Sequence, residues 1–130
     1  MTTKPILGAA LNHASLAVHR DWLLEAQRDV ELQQFVDAEV LNGDWSALAA
    51  EVVNLLDGHE GRRGIHGPFW GFSIASYDPE VRAIVAHKMQ QALDVCAAVK
   101  GTHIVIHSPF TTWDYNHRGL NASDTDRMLS

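Results

Sequence analysis

Residues 78–109 read DPEVRAIVAHKMQQALDVCAAVKGTHIVIHSP, and this stretch decides the fold. Asp78 is a strong helix N-cap, Pro79 suits the first helical position, and Glu80 complements the positive end of the helix dipole. Val81, Ile84, Val85, Met89, Ala92, Leu93, Cys96 and Val99 form an apolar stripe. Lys100-Gly101 ends the helix. His103 to His107 then reads as a strand, stopped by Ser108-Pro109. A helix that feeds a strand through so short a turn is half of a β/α unit.

The same pattern repeats upstream. Arg62 to His66 reads as a strand, followed by the loop Gly67-Pro68-Phe69-Trp70-Gly71-Phe72. Asp44 caps a helix whose apolar positions include Trp45, Leu48, Ala49, Val52, Val53, Leu55 and Leu56, and Gly58 stops it. Glu31 to Phe35 reads as a strand. Leu16 to Arg28 reads as a helix with Ser15 as N-cap, and Ile6 to Leu11 as the first strand. Downstream, the run from Phe110 to Ser130 is polar, with a weak helical start near Asp124. The order β-α-β-α-β-α-β predicts an α/β fold of four parallel strands in the order 1-2-3-4, with three helices on one face.

Composition bounds the rest. The 130 residues are 46% hydrophobic and 20% charged, the profile of one globular domain spanning 1–130. Ten basic against 16 acidic residues give a net charge of -6, which speaks against nucleic acid as partner. The single cysteine excludes a disulfide framework or a Cys-built zinc site. No basic start leads into a long apolar run, and no window approaches about 20 apolar residues. A cytoplasmic protein with no membrane partner is expected.

Strand parity brings the chemistry together. Successive strand side chains point to opposite faces. Leu7, Ala9, Leu11, Leu32, Ile65, Ile104 and Ile106 belong to the helix side. The other face then carries Asn12, Glu31 or Gln33, His66 and His107. Asn12, His66 and His107 fall at the carboxyl ends of their strands, where parallel α/β folds place their sites.

Each of these residues has a bland reading. A histidine at a strand end is commonly a hydrogen-bonded structural residue. Two at equivalent ends, each followed two positions on by proline, favour function, since imidazole serves as metal ligand and acid/base. Glu31 reads equally as a buried carboxylate tying strands together. Phe69, Trp70 and Phe72 read first as loop packing and second as an apolar wall over a small polar ligand. Trp113, Asp114 and His117 follow strand 4 on the same end, and His13 follows Asn12. His19, His59 and His87 are explained by solvated positions. No phosphate loop, serine elbow or HExxH helix is present.

Three stretches, Gly64 to Phe69, Asp78 to Arg82 and His103 to Pro109, together with Val30-Glu31-Leu32, resemble the xylose isomerase-like TIM-barrel superfamily. That superfamily holds sugar phosphate isomerases and epimerases and endonuclease IV. The resemblance covers about Val30 to His117, and its most specific part is the pair His66 and His107. It implies a (β/α)8 barrel with a divalent metal such as Mn, Mg, Co or Zn. In the isomerase branch the metal ligands are carboxylates and a histidine from the second half of the barrel. In endonuclease IV the histidines matching His66 and His107 are themselves zinc ligands.

A TIM barrel takes about 250 residues, so this chain corresponds to the N-terminal half. The expectation is a sugar phosphate isomerase or epimerase moving a proton beside a sugar carbonyl. His66 and His107 are its catalytic or metal-binding residues, and Asn12, Glu31, Trp70 and Trp113 are its substrate contacts. The alternative is a non-catalytic half-barrel that binds a partner or self-associates. An endonuclease-like metal hydrolase ranks lower, on charge and because the first strand does not reproduce that enzyme's.

Overall fold

The computed structural model describes residues 5–71 and 73–109. Strand β1 (Gly8–Leu11) leads into helix α1 (His13–Glu25), and β2 (Asp29–Leu32) follows. A 3-10 turn (Gln34–Val36), a short helix α2 (Ala38–Asn42) and α3 (Ser46–Leu55) connect to β3 (Arg63–His66). Helix α4 (Pro79–Ala98) then delivers β4 (His103–Val105). The four strands are all parallel and lie in the order β1-β2-β3-β4.

The core lies between the sheet and the helices. Val30, Leu32 and Ile65 from the strands pack on Leu16 and Leu23 of α1, Ala49 and Val52 of α3, and Ala92, Val95 and Cys96 of α4. Burying each large aliphatic side chain contributes about 1.5–3 kcal/mol, so this one layer of contacts fixes which sheet face the helices cover. Leu11 and Ile104 pack against the same cluster. Strand parity therefore runs as the apolar residues dictate, and Glu31, Gly64, His66 and His103 fall on the face opposite the helices.

Several boundaries differ from the sequence reading. Strand β2 begins two residues earlier, at Asp29, because the Asp29 amide donates to Leu7 O and the Val30 amide to Arg62 O, which pairs Asp29 with Gly8 of β1. Gln34 and Phe35 leave the strand for the 3-10 turn. Helix α1 starts at His13, with Asn12 as its N-cap, and Ser15 is the residue that donates its amide to that cap. Four α-helices, one more than expected, occur among the described residues, because a five-residue helix is capped by Asp37. Asp44 does accept from the Ser46 amide at 3.0 Å, although the N-cap position itself falls one residue later, on Trp45. Helix α4 begins where Asp78-Pro79 places it, but Val81, Ile84 and Leu93 of its stripe are exposed while Val95 is buried.

The amino end of the sheet is held by an arginine that hydropathy does not flag. Arg63 is buried among the ends of two helices. Its guanidinium donates to the carbonyls of Leu56 (3.3 Å) and His59 (3.0 Å) after α3 and of Val99 (3.4 Å) after α4. Last-turn carbonyls lack helical partners and sit at the negative end of the dipole, so a cation there serves both. Burial lowers the pKa of Arg63 below the ordinary arginine value. His59, expected at a solvated position, is also buried, and its Nε2 donates to the Arg28 carbonyl at 2.6 Å.

Among the described residues nothing covers the helix side beyond β4. Met89, Leu93, Ile104 and Ile106 line a groove of about 370 Å3 between α4 and the last strand. Among the described residues no helix is long and apolar enough to cross a membrane.

Candidate functional site

Three side chains form a diagonal file across the open face of the sheet. In register, Glu31 of β2 lies beside Gly64 of β3, and His66 lies beside Val105 of β4. His66 is thus two residues ahead of Glu31's level, and His107 two residues ahead of Val105. Each step to the next strand rises by one side chain on that face, towards the carboxyl ends.

The file is hydrogen-bonded along its length. Glu31 Oε1 lies 2.7 Å from His66 Nδ1, and the same oxygen accepts from Gln33 Nε2 at 2.6 Å. His66 Nε2 lies 2.9 Å from His107 Nε2. With neutral rings, His66 donates through Nδ1 to the carboxylate and presents a bare Nε2 to the N–H of His107. A carboxylate behind the first ring nitrogen fixes tautomer and plane, which is how metal-binding and catalytic imidazoles are oriented. The side chains of His66 and Glu31 are 14% and 27% exposed, so the lower part is sheltered and the His107 end is open.

Glycine and the loop after β3 make room for this file. A Cβ at Gly64 would stand 2.5 Å from His103 Nε2 and 2.6 Å from the His103 carbonyl, so only glycine lets the His103 ring lie across β3. Gly67 donates its amide to Val105 O at 2.8 Å, which ties the start of the loop to β4. Pro68 is buried. The chain then returns Phe69 over the histidines. Its ring stacks on His107 at 3.7 Å between centroids and 15° between planes, and meets His66 edge-on at 5.2 Å. Trp70 packs on Phe69 at 4.6 Å but is 70% exposed.

The structure brings together Glu31, His66 and His107 of the expected site. It does not bring Asn12 to them: the Asn12 carboxamide accepts the Ser15 amide at 2.9 Å and caps α1. His13 points to α3, with Nε2 3.2 Å from Glu51 Oε2. Among the described residues Trp70 reaches the file through Phe69. Phe72, Trp113, Asp114 and His117 lie outside the described residues. Gln33 and Phe69 are the partners that sequence reasoning left in secondary roles. Alternation from Leu32 places Gln33 on the right face, whereas no periodic signal marks Phe69.

Two imidazole nitrogens that converge, one backed by a carboxylate, fit part of a metal ligand set. Among the described residues no three His, Cys, Asp or Glu side chains are grouped closely enough to hold an ion. Catalytic sites commonly use about three protein ligands, so the described residues supply a pair of donors.

No family model matches the chain, and no curated protein matches it. Among solved structures, the TTHB071 protein from Thermus thermophilus, soaked with ZnCl2, is similar, with a TM-score of 0.62 at 22% identity. The match covers 92% of this chain and 48% of that one. At this identity the likeness is one of fold, and this chain spans about half the length of that protein.

Proposed function

We propose that this chain is the N-terminal half of a metal-dependent sugar phosphate isomerase or epimerase of the xylose isomerase-like superfamily. The observation that carries the reading is the Glu31–His66–His107 file, which rises from within β2 to the carboxyl ends of the parallel strands, where α/β barrels do their chemistry. The half-length match to a longer chain supports it, and the zinc soak of that protein makes zinc the first cation to try.

The chain's own residues have distinct tasks. Glu31 holds His66 by Nδ1, and Gln33 holds the carboxylate. His66 and His107 offer nitrogen donors to a cation or hydrogen bonds to a substrate oxygen. Phe69 and Trp70 form an apolar flank beside them, suited to the C–H face of a sugar. A bound divalent cation supplies Lewis acidity for charge developing on an oxygen next to the carbon that loses its proton. The carboxylates that the resemblance assigns to proton transfer belong to the other half of the barrel.

The test is proton exchange in deuterated water, on ketose and aldose phosphates, with added Mn, Co or Zn. The 130-residue chain alone is expected to show none. The longest product of its reading frame is expected to exchange the proton beside the carbonyl, and to lose that activity in His107→Ala. Exchange that survives both His66→Ala and His107→Ala contradicts the reading, and cleavage of abasic DNA in its place moves the site to the hydrolase branch.

A second reading, a half-barrel that self-associates, is favoured by the β4 edge, which no other strand of the described residues pairs, and by the apolar groove beside it. Sedimentation of the chain tests it, with a concentration-independent monomer as the contrary result.

A further inference from the structure

We infer that Phe69 is the positioning residue of the histidine pair: its stack on His107 sets the plane in which the two Nε2 atoms meet. The inference deepens the proposed site and rests on it for the metal arm of the test only. His66 is already held on two sides, by Glu31 at Nδ1 and by its strand. Among the described residues His107 has neither support. It lies past the end of β4, on an exposed stretch, and its polar tie among those residues is the bond to His66. A ring free to turn about two side-chain torsions would present Nε2 to His66 only part of the time.

Phe69 removes that freedom. The ring centroids are 3.7 Å apart with planes 15° from parallel, so rotation of the imidazole out of its plane meets the phenyl face. Phe69 is itself fixed. Trp70 packs beside it at 4.6 Å, the edge of His66 stands 5.2 Å away, and buried Pro68 precedes it. The Gly67 amide pins the loop to β4 at Val105 O, two residues before His107. Phe69 and His107 are thus anchored to the same stretch of backbone, so the stack moves as one unit. A Cβ at Gly67 would come within 3.1 Å of both Ile104 Cγ2 and that same carbonyl, so the tie demands close backbone approach.

Outer-shell partners that orient an imidazole change metal affinity about 10–100-fold when removed. The experiment is nuclear magnetic resonance of the histidine ring protons in the full chain, with and without cobalt(II). In the wild type the His107 ring protons are expected upfield of the other histidines, under the Phe69 ring current. In Phe69→Leu they return downfield, and the cobalt needed to broaden His66 and His107 together rises about tenfold. Phe69→Tyr restores both the upfield position and the cobalt response, which lost packing alone does not explain.

His107 protons at ordinary positions in the wild type overturn the inference without any variant. So does a Phe69→Leu protein that folds and keeps both readouts. If cobalt broadens neither ring in the wild type, the metal reading fails, and the ring-proton positions still decide whether Phe69 sets the plane of His107.

Discussion

His66 and His107 stand 41 positions apart in the chain and meet through Nε2 atoms 2.9 Å apart. Adjacent parallel strands make the meeting possible, and the one-side-chain rise from β3 to β4 makes it close. The same rise from β2 to β3 brings Glu31 to the far side of His66. The candidate site is therefore a property of sheet register. A one-residue slip of β3 would turn His66 into the helix layer and expose Ile65.

Arg63 predicts a stability effect remote from the site. Replacing it with Met keeps an apolar stem and leaves the carbonyls of Leu56, His59 and Val99 without their cation. The expected loss is about 2–3 kcal/mol, from charge-assisted bonds to buried acceptors. Urea unfolding of Arg63→Met measures it. An unchanged midpoint would show that water replaces the guanidinium at no cost.

Gly64 predicts a steric effect at the centre of the open face. In Gly64→Ala the new Cβ collides with the ring and carbonyl of His103, and the carbonyl belongs to the adjoining strand. Overpacking of this kind costs about 1–3 kcal/mol. Thermal unfolding is expected to fall accordingly. Wild-type stability in Gly64→Ala would mean that β3 and β4 are not in the register described.

The histidine pair and the parallel sheet were legible because Leu32, Ile65, Ile104 and the bounded helix from Asp78-Pro79 fix parity and order without further information. Much else was not. Five-residue α2 is too short for a period to show. Asn12 follows a strand and precedes a helix, and parity ranks it for the open face while its short carboxamide finds the Ser15 amide first. Arg63 and His59 are polar residues buried for the carbonyls they reach, and two of these, on Val99 and Arg28, lie more than 30 positions away. Ile84 and Leu93 read as core because the stripe is defined by composition, whereas burial depends on which neighbours cover the helix.

Asp29 predicts an acid-sensitive seam between β2 and β3. Hydrogen bonds from the Arg62 side chain, and secondarily its backbone, hold the Asp29 carboxyl below its ordinary value of 3.8. A carboxyl whose folded pKa is depressed adds stability that is present above the unfolded value and is lost as pH falls through the folded one. Wild type is therefore expected to exceed Asp29→Asn in stability at about pH 6, with the gap closing below pH 3.8. Because Arg62 is exposed, the gap is small and shrinks with salt. Paired urea titrations at the two pH values check it, and a gap that widens in acid would reverse the sign argued here.

The central claim is that His66 and His107 act as a pair towards one cation. The most direct measurement is calorimetric titration of the chain with zinc, set beside His66→Ala, His107→Ala and the double variant. Weak one-to-one binding is expected in the wild type, lost to the same extent in each single variant and no further in the double, since two groups that hold one ion fail together. Wild-type affinity retained in His107→Ala, or losses that simply add, would contradict it.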